Sequence, residues 1–362
     1  MEKYYINNQV YSLEEIQSLS LQDYLAVSQK NKPMKLYKYF PNLVKDGRNY
    51  SIKALKNNSV YLQSPINFDD PYDATISIDE EEFAMKRIEY YASRCGYNLE
   101  QHWDYNKKVY EFSIYLYNQS LQGKTLYDVL NVSEKTDDTD DLVDITHSIF
   151  ANQLNVKLNE HYKDNDAWQQ AFYKAIHKQF LNLKKHLIGY FRVSCFTTTP
   201  YSMLMWSHYA NSHKGFCIEY EYPAYDERYK DLYANLFPVM YSEHRISVLE
   251  ECIRHIDHPR DATVLYAIYK YGLLAKNIDW KYQNEWRLIS LDDMLANDEN
   301  YNCKFFPISK VYLGSKMLPE EKRSIINLCS KKGIPYMCLS LSSNKYELQD
   351  CSMCKKIEMK YP

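Results

Sequence analysis

The stretch Asp279–Ser290, DWKYQNEWRLIS, is built like a β-strand, yet it places a carboxylate, Glu285, between aromatic residues. Gln283 stands two residues before it and Arg287 two after. Two-residue periodicity predicts Gln283, Glu285 and Arg287 on one face, with Tyr282, Trp286 and Leu288 largely on the other. Either the carboxylate is held there for chemistry, or Glu285 and Arg287 form a same-face surface network. A second cluster lies in LMWSHYANSHKGFCIEY. His208 and His213 titrate near neutral pH and are candidates for acid, base or phosphate-facing cation. Trp206 and Tyr209 are candidate stacking surfaces, and Gly215 suits a close backbone approach. The plainer alternative is a short helix packed by Met205, Trp206 and Tyr209, with structurally hydrogen-bonded histidines. In NFDDPYD, the side chains of Asp69, Asp70 and Asp73 are hard oxygen donors for a divalent cation, or caps for their own turns. Lys276 is a candidate phosphate contact and otherwise an exposed lysine.

Composition narrows the chemistry. The 362 residues include 37 Tyr but only 8 Gly, scattered singly, with no G-x-G-x-x-G and no Walker-type run. Loops that cradle phosphates need several clustered glycines, which argues against a classical dinucleotide-binding or nucleoside-triphosphatase fold. A formal net charge of -3 gives no support for a broad basic surface. Nine cysteines, an odd number, do not read as a secreted disulfide framework. Cys351 and Cys354 form a CxxC without a partner pair, which reads as chance rather than zinc. With no basic-then-apolar N-terminal pattern and no apolar run of membrane-spanning length, the expectation is a cytoplasmic protein with reduced thiols.

These residues must be positioned by the elements around them. Residues 1–34 read as a loosely attached leader with one helix, with Ser12 as N-cap and Glu15 completing a capping box. Strands are predicted at 35–40 and 60–64, followed by a turn-rich loop at 65–73. From about 79 to 189 the pattern is helical. Trp168, Phe172, Ile176, Phe180, Leu183 and Leu187 form one stripe there, and the run 134–141 reads as an exposed connector. Strands return at 190–198, 215–222 and 236–242, and helices follow near 243–256 and 261–275. A strand pair is expected around 281–290 and 305–314. A helix from Pro319 to about Lys332 should end at Gly333, before a strand at 336–342 and a tail at 346–362. Strands framing a helical block, with little β-α-β alternation, predict an α+β domain over 35–345: a split, mainly antiparallel sheet with a large helical insertion.

In chain order, LYKYF, SPINFDDPYD, VSCFTTTP, MLMWSHYANSHKGFCIEY, KNIDWKYQNEWRLI and ISKVYLG resemble the bacterial domain of unknown function 2971 family over roughly residues 35–345. The chain departs from that family's usual pattern at Asp69-Asp70-Pro71, where Asn-Asp-Pro is usual, and at Gln283, where Glu is usual. The layout is more distantly similar to ADP-ribosyltransferase-like folds, whose split sheet binds NAD through an early, a middle and a late strand. That resemblance implies Tyr37, Lys38 and Tyr39 on the early strand, although the usual Arg or His is lacking there. It implies Ser194 and Thr197 on the middle strand, and Gln283 with Glu285 on the late one. Cleavage of the nicotinamide–ribose bond develops an oxocarbenium-like cation. Glu285 would then work at the ribose while Gln283 orients the acceptor, with Trp206, Tyr209 and Arg287 in the cofactor-binding set.

Three classes of function are therefore expected. The first is an NAD-consuming ADP-ribosyltransferase-like enzyme, of the kind that serves as a toxin or phage-defence effector and modifies a nucleic acid or a protein. The second is a metal-dependent nuclease using Asp70, Asp73, His208 and Glu219. The third is a non-catalytic module that recognises a ligand or protein.

Overall fold

The computed structural model describes residues 2–30, 32–122, 124, 128–129, 166–223, 226–257, 262–291, 294–296 and 301–351. The connector 134–141 and Cys354 lie outside them. The described residues contain β1 (Tyr4–Ile6), β2 (Gln9–Tyr11), β3 (Lys35–Phe40), β4 (Ser59–Tyr61), β5 (Phe191–Thr197), β6 (Phe216–Glu221) and β7 (Leu236–Pro238). They continue with β8 (Met240–Ser242), β9 (Ala275–Asn277), β10 (Glu285–Leu291), β11 (Asn302–Lys304), β12 (Ile308–Leu313), β13 (Tyr336–Leu341) and β14 (Leu348–Asp350). The class is α+β, as the strand and helix pattern predicts. Among the described residues no helix is long and apolar enough to cross a membrane.

The main sheet has the order β14-β13-β12-β6-β3-β5-β10-β7 and is antiparallel except where β12 runs parallel to β13. β3 pairs with β6 along its whole length, from Lys35↔Glu221 to Phe40↔Phe216. With β5 it shares a single register pair, Tyr37↔Thr197. Beyond that pair the strands splay, and Gln63 takes over the free edge of β5 by exchanging both backbone hydrogen bonds with Val193 at 2.7 and 2.8 Å. Buried backbone donors and acceptors need partners, so this exchange is what lets the sheet open.

Both faces are covered, which explains the near-continuous burial of Phe216–Tyr220 and Glu285–Ser290. One face packs Leu36, Phe40, Phe196, Ile218, Trp286 and Leu288 toward Leu55 of the helix Tyr50–Asn57 and Ile325 of the helix Pro319–Lys332. The other packs Tyr39, Cys217 and Tyr312 against Met205, Trp206 and Ala210 around the short helix Met203–Tyr209. The helix from Pro319 ends at Gly333 in the left-handed conformation, and Ser12 with Glu15 forms the expected capping box.

Several local expectations are corrected. The first 34 residues are more than a one-helix leader. β1 and β2 form a hairpin in a four-stranded sheet of order β2-β1-β8-β9, and the helical sequence after it breaks into Leu13–Ser18 and Leu21–Lys30. Tyr4 and Ile6 are buried there, so apolar burial ties this segment down. The single strand expected at 236–242 is two strands, β7 and β8, in different sheets, with Val239 between them. β10 and β12 do not pair with each other: β10 lies between β5 and β7, and β12 between β6 and β13. The tail contributes β14, which pairs with β13.

The chain divides into two compact units. One is formed by Met1–Thr75, Ile188–Arg245 and Gly272–Pro362, and it contains the sheets. The other is formed by Ile76–Leu187 and Ile246–Tyr271, so the helical block also recruits the later helices Leu249–Asp257 and Ala262–Ala267. Within it Ile176, Phe180 and Leu187 of the predicted stripe are buried, and the Phe180 ring centre lies 5.6 Å from that of Phe83 in the helix Glu80–Arg94.

Gly215 shows how tightly the sheet meets the short helix: a Cβ there would lie 2.0 Å from the Phe40 carbonyl oxygen and 3.1 Å from Ala210 Cα. Both obstacles are backbone. Gly215→Ala should therefore destabilise the protein by about 1–3 kcal/mol or more, read as a lowered midpoint in urea unfolding. Gly189→Ala, with nothing within 4 Å of the added Cβ, should leave that midpoint nearly unchanged.

Candidate functional site

Where β3 and β5 part, a cavity of about 710 Å³ opens in the sheet-bearing unit. Its size falls in the range of small-molecule and cofactor sites. Because the sheet is open here, both faces of β3 reach it: Tyr37 and Tyr39 from one side, Lys38 from the other. Val193, Cys195 and Phe196 of β5 form the opposite wall. The segment around β4 adds Tyr61 and Gln63, and the turn-rich loop adds Phe68 through Pro71 together with Asp73. Met205 and Tyr209 come from the short helix, and Lys276, Trp280, Gln283 and Glu285 complete the lining.

Four buried charges form a closed ring in its wall. Glu285 accepts from Arg287 Nε at 2.7 Å through Oε1 and from Lys276 Nζ at 2.7 Å through Oε2. Asp73 receives the same two cations, Arg287 Nη2 at 2.5 Å on Oδ1 and Lys276 Nζ at 2.8 Å on Oδ2. The ring is neutral. The third Arg287 nitrogen donates to the Leu273 carbonyl at 2.5 Å, so each of the three guanidinium nitrogens has a partner. Burial alone would raise the Glu285 carboxyl, but the charges and hydrogen bonds of Arg287 and Lys276 outweigh it and hold the group well below the ordinary carboxylate range. For Lys276 burial works against the charge, but Glu285 and Asp73 keep it an ammonium.

A polar chain continues from the ring. Lys276 Nζ donates to Gln283 Oε1 at 2.9 Å, and Gln283 Nε2 donates to the Tyr209 hydroxyl at 2.9 Å. Thr197 Oγ1 donates to the Gln283 carbonyl at 2.5 Å. Glu285 N–H donates to the Tyr241 hydroxyl at 2.8 Å. Lys38 Nζ donates to the Cys195 carbonyl at 2.9 Å and lies 5.2 Å from the Phe196 ring centre, where burial pushes its ammonium down. Burial, with Glu285 nearby, pushes the Cys195 thiol up to about 12, which makes it a poor nucleophile.

The cavity brings together Tyr37, Lys38, Tyr39, Tyr209, Gln283 and Glu285. Other expected site residues fall elsewhere. Gln283 is not on the strand with Glu285: it ends a 3-10 turn, Ile278–Gln283, and Asn284 at φ 42° turns the chain into β10. Its link to Glu285 runs through Lys276 instead of through strand periodicity. Arg287 is fully buried and does not line the cavity, so it is a positioning residue for Glu285 rather than a ligand contact. Trp206 is fully buried, donates Nε1–H to the Pro200 carbonyl at 2.7 Å and meets Tyr39 edge-on at 5.1 Å, which makes it core and not a stacking platform.

The histidines do not converge. His208 is exposed, with its ring 6.3 Å from Trp280 on the helix end. His213 is buried behind Trp206, with Nε2 3.3 Å from Ser207 Oγ, and burial with Lys316 nearby lowers its pKa. Its backbone receives Lys316 N–H and donates to Trp206, closing the turn into β6. Ser194 and Thr197 are buried and outside the lining, and the Thr197 hydroxyl bonds the Gln283 carbonyl and the Thr199 N–H.

The acidic loop is also engaged locally. Asp70 accepts from Tyr72 N–H and from Trp280 Nε1–H, both at 2.8 Å, and Asp73 belongs to the ring. Glu219 binds Lys35, Ser309 and Tyr312 away from the lining, so Asp70, Asp73, His208 and Glu219 do not share one wall. Among the described residues no group of three or more His, Cys, Asp or Glu could hold a metal ion. Lys276, expected at the surface, proves to be buried. The sequence signalled it weakly, as a cation nine residues before Glu285, and the structure sets it on the short strand β9.

Residues 205–288 match the family model described as protein of unknown function (DUF2971). That span includes Met205, Tyr209, Lys276, Gln283, Glu285 and Arg287, whereas Tyr37, Lys38, Asp73 and Cys195 lie outside it. No curated protein and no solved structure matches the chain.

Removing one member of the ring strands the others. Arg287→Met should cost about 3–5 kcal/mol of stability by leaving two carboxylates with one ammonium. The Glu285 carboxyl is held below its ordinary value of 4.5, so its contribution is complete above that pH and is lost as pH falls toward the folded value. Urea unfolding should therefore show stability falling progressively below about pH 4.5, with a shallower fall in Glu285→Gln.

Proposed function

We propose that the protein is an NAD-consuming enzyme of the ADP-ribosyltransferase kind, with the cavity at the sheet opening as the NAD site. The observation that carries this reading is Glu285, an ionised carboxylate fixed at the wall of a cavity formed where the early and middle strands of the sheet part. Aromatic faces suited to an adenine or nicotinamide ring are supplied by Tyr61, Phe68, Tyr209 and Trp280. Lys38, which lines the same cavity, offers a cation for a pyrophosphate oxygen.

In this reading the ribose C1′–nicotinamide bond breaks with its electron pair going to the pyridinium nitrogen, and neutral nicotinamide leaves. Positive charge develops on the ribose, and Glu285 opposes it as a fixed negative charge. A carboxylate with so depressed a pKa is a poor base, so the acceptor's proton passes to solvent. Gln283, anchored between Lys276 and Tyr209, lines the same cavity beside the carboxylate. Asp73, Arg287 and Lys276 fix the carboxylate's orientation.

A non-catalytic ligand-recognition role is favoured by one specific observation: both Glu285 oxygens already accept from cations. Measuring nicotinamide release from NAD separates the two readings. The intact chain should release it, and Glu285→Gln should lower the rate by about 10²–10³-fold, the usual loss when one transition-state electrostatic contact is removed. Between about pH 5 and 9 the rate should show no acid limb from Glu285. NAD binding without nicotinamide release would favour recognition.

A further inference from the structure

Glu285 also lines a second, smaller cavity of about 270 Å³, and it is the one residue shared by the linings of the two. The walls of this second space have a different chemistry. Asn8, Thr198 and Asn284 are exposed at its edge, whereas Tyr241 and Trp286 are buried at its inner side. Asn8 and Asn284 have left-handed backbones, φ 64° and 42°, so turn geometry sets where their amides point. The buried Nδ2 of Asn7, in the same wall, has no hydrogen-bond partner. Lys281 Nζ lies 3.6 Å from the Tyr5 ring centre. The Tyr241 hydroxyl accepts the Glu285 N–H, linking this wall directly to the carboxylate-bearing residue.

Charge and shape select the occupant. A cationic side chain would meet a lysine and, Glu285 apart, no carboxylate; Glu285 is already bound to Lys276 and Arg287. An aliphatic side chain would leave the buried Asn7 Nδ2 without a partner, at a cost of about 1–3 kcal/mol. A neutral planar ring with amide-like edges satisfies both conditions. Amide side chains read the donor and acceptor edges of bases, and the part-exposed Tyr5 ring offers an aromatic face to stack on them. The volume lies just below the range of drug-sized sites and suits a single ring system.

We propose that this second cavity is the acceptor site and takes one nucleobase of a single-stranded nucleic acid, presented at Glu285. The chemistry of transfer rests on the NAD reading above; the binding of the base does not. In the transfer a base nitrogen forms a bond to ribose C1′, the C1′–nicotinamide bond breaks with its electrons on the leaving nitrogen, and the base N–H proton goes to solvent.

The full chain is mixed with NAD and fluorescent single-stranded DNA and RNA oligonucleotides in the presence of carrier protein. Nicotinamide release, adduct mass and oligonucleotide binding by anisotropy are followed separately. The adduct is expected on the oligonucleotide. Thr198→Trp, which fills the edge, and Lys281→Ala, which removes the ammonium, should each weaken oligonucleotide binding roughly ten-fold, in line with the loss of a stacked base. Both should also lower the ratio of adduct to released nicotinamide. An adduct on protein, or binding and ratio unmoved in both variants, overturns the proposal. If no nicotinamide appears under any condition but binding still falls in the variants, the NAD reading fails and the base site stands.

Discussion

The ring of Asp73, Arg287, Glu285 and Lys276 is the interaction on which the rest of the site depends. Four ionised groups removed from water are tolerated because each carboxylate bridges both cations and the sum of charge is zero. The geometry is restrictive: the turn-rich loop, β9 and β10 must all arrive together for the ring to close. It therefore fixes the loop that walls the cavity, the entry of β10 and the direction of the Glu285 carboxylate in one arrangement. Loss of any member leaves a charge of uncompensated sign in the interior, which is why the ring constrains the fold as well as decorating the site.

The opening between β3 and β5 is the second constraint. A sheet cannot part without stranding backbone hydrogen-bonding groups, and here they are taken up by Gln63 at Val193 and by Lys38 at the Cys195 carbonyl. The same two substitutions furnish the cavity, because both Gln63 and Lys38 line it. On the far side of β3, Gly215 allows the Phe40 backbone to approach where no Cβ would fit. The cavity is thus a product of the sheet's own bookkeeping of hydrogen bonds, with aromatic side chains added around it.

These constraints set what chemistry the site can support. A carboxylate locked between an arginine and a lysine is a fixed charge with little appetite for a proton, which suits stabilisation of a developing cation better than general-base work. The neighbouring thiol of Cys195 is silent, and the two histidines lie outside the cavity, one exposed and one packed behind Trp206. The polar sequence Lys276–Gln283–Tyr209 is the cavity's directional hydrogen-bonding element, and it sits beside the carboxylate.

What the sequence determined by itself was local. Short strand-like runs marked β3, β5 and β6, alternation marked β13, and the Pro319-to-Gly333 helix was legible because N- and C-terminal signals are short-range chemistry. For Glu285 the sequence left two readings open, a chemical role or a surface network with Arg287, and burial in the cavity wall decided against the surface. Arg287 was legible as its same-face partner, but the rest of the ring was beyond reach: Asp73 and Arg287 are separated by 214 positions, and Lys276 stands on the three-residue strand β9, too short to show a period. Gln283 appeared to share a face with Glu285 only because a 3-10 turn can imitate strand spacing until Asn284 reverses the backbone. Trp206 and His213 look like site residues by type, and only tertiary burial turned them into packing. Local propensity is written in neighbouring residues. Charge pairing and the parting of two strands are decided by segments far apart in the chain, through desolvation and backbone hydrogen bonding that exist only once those segments meet.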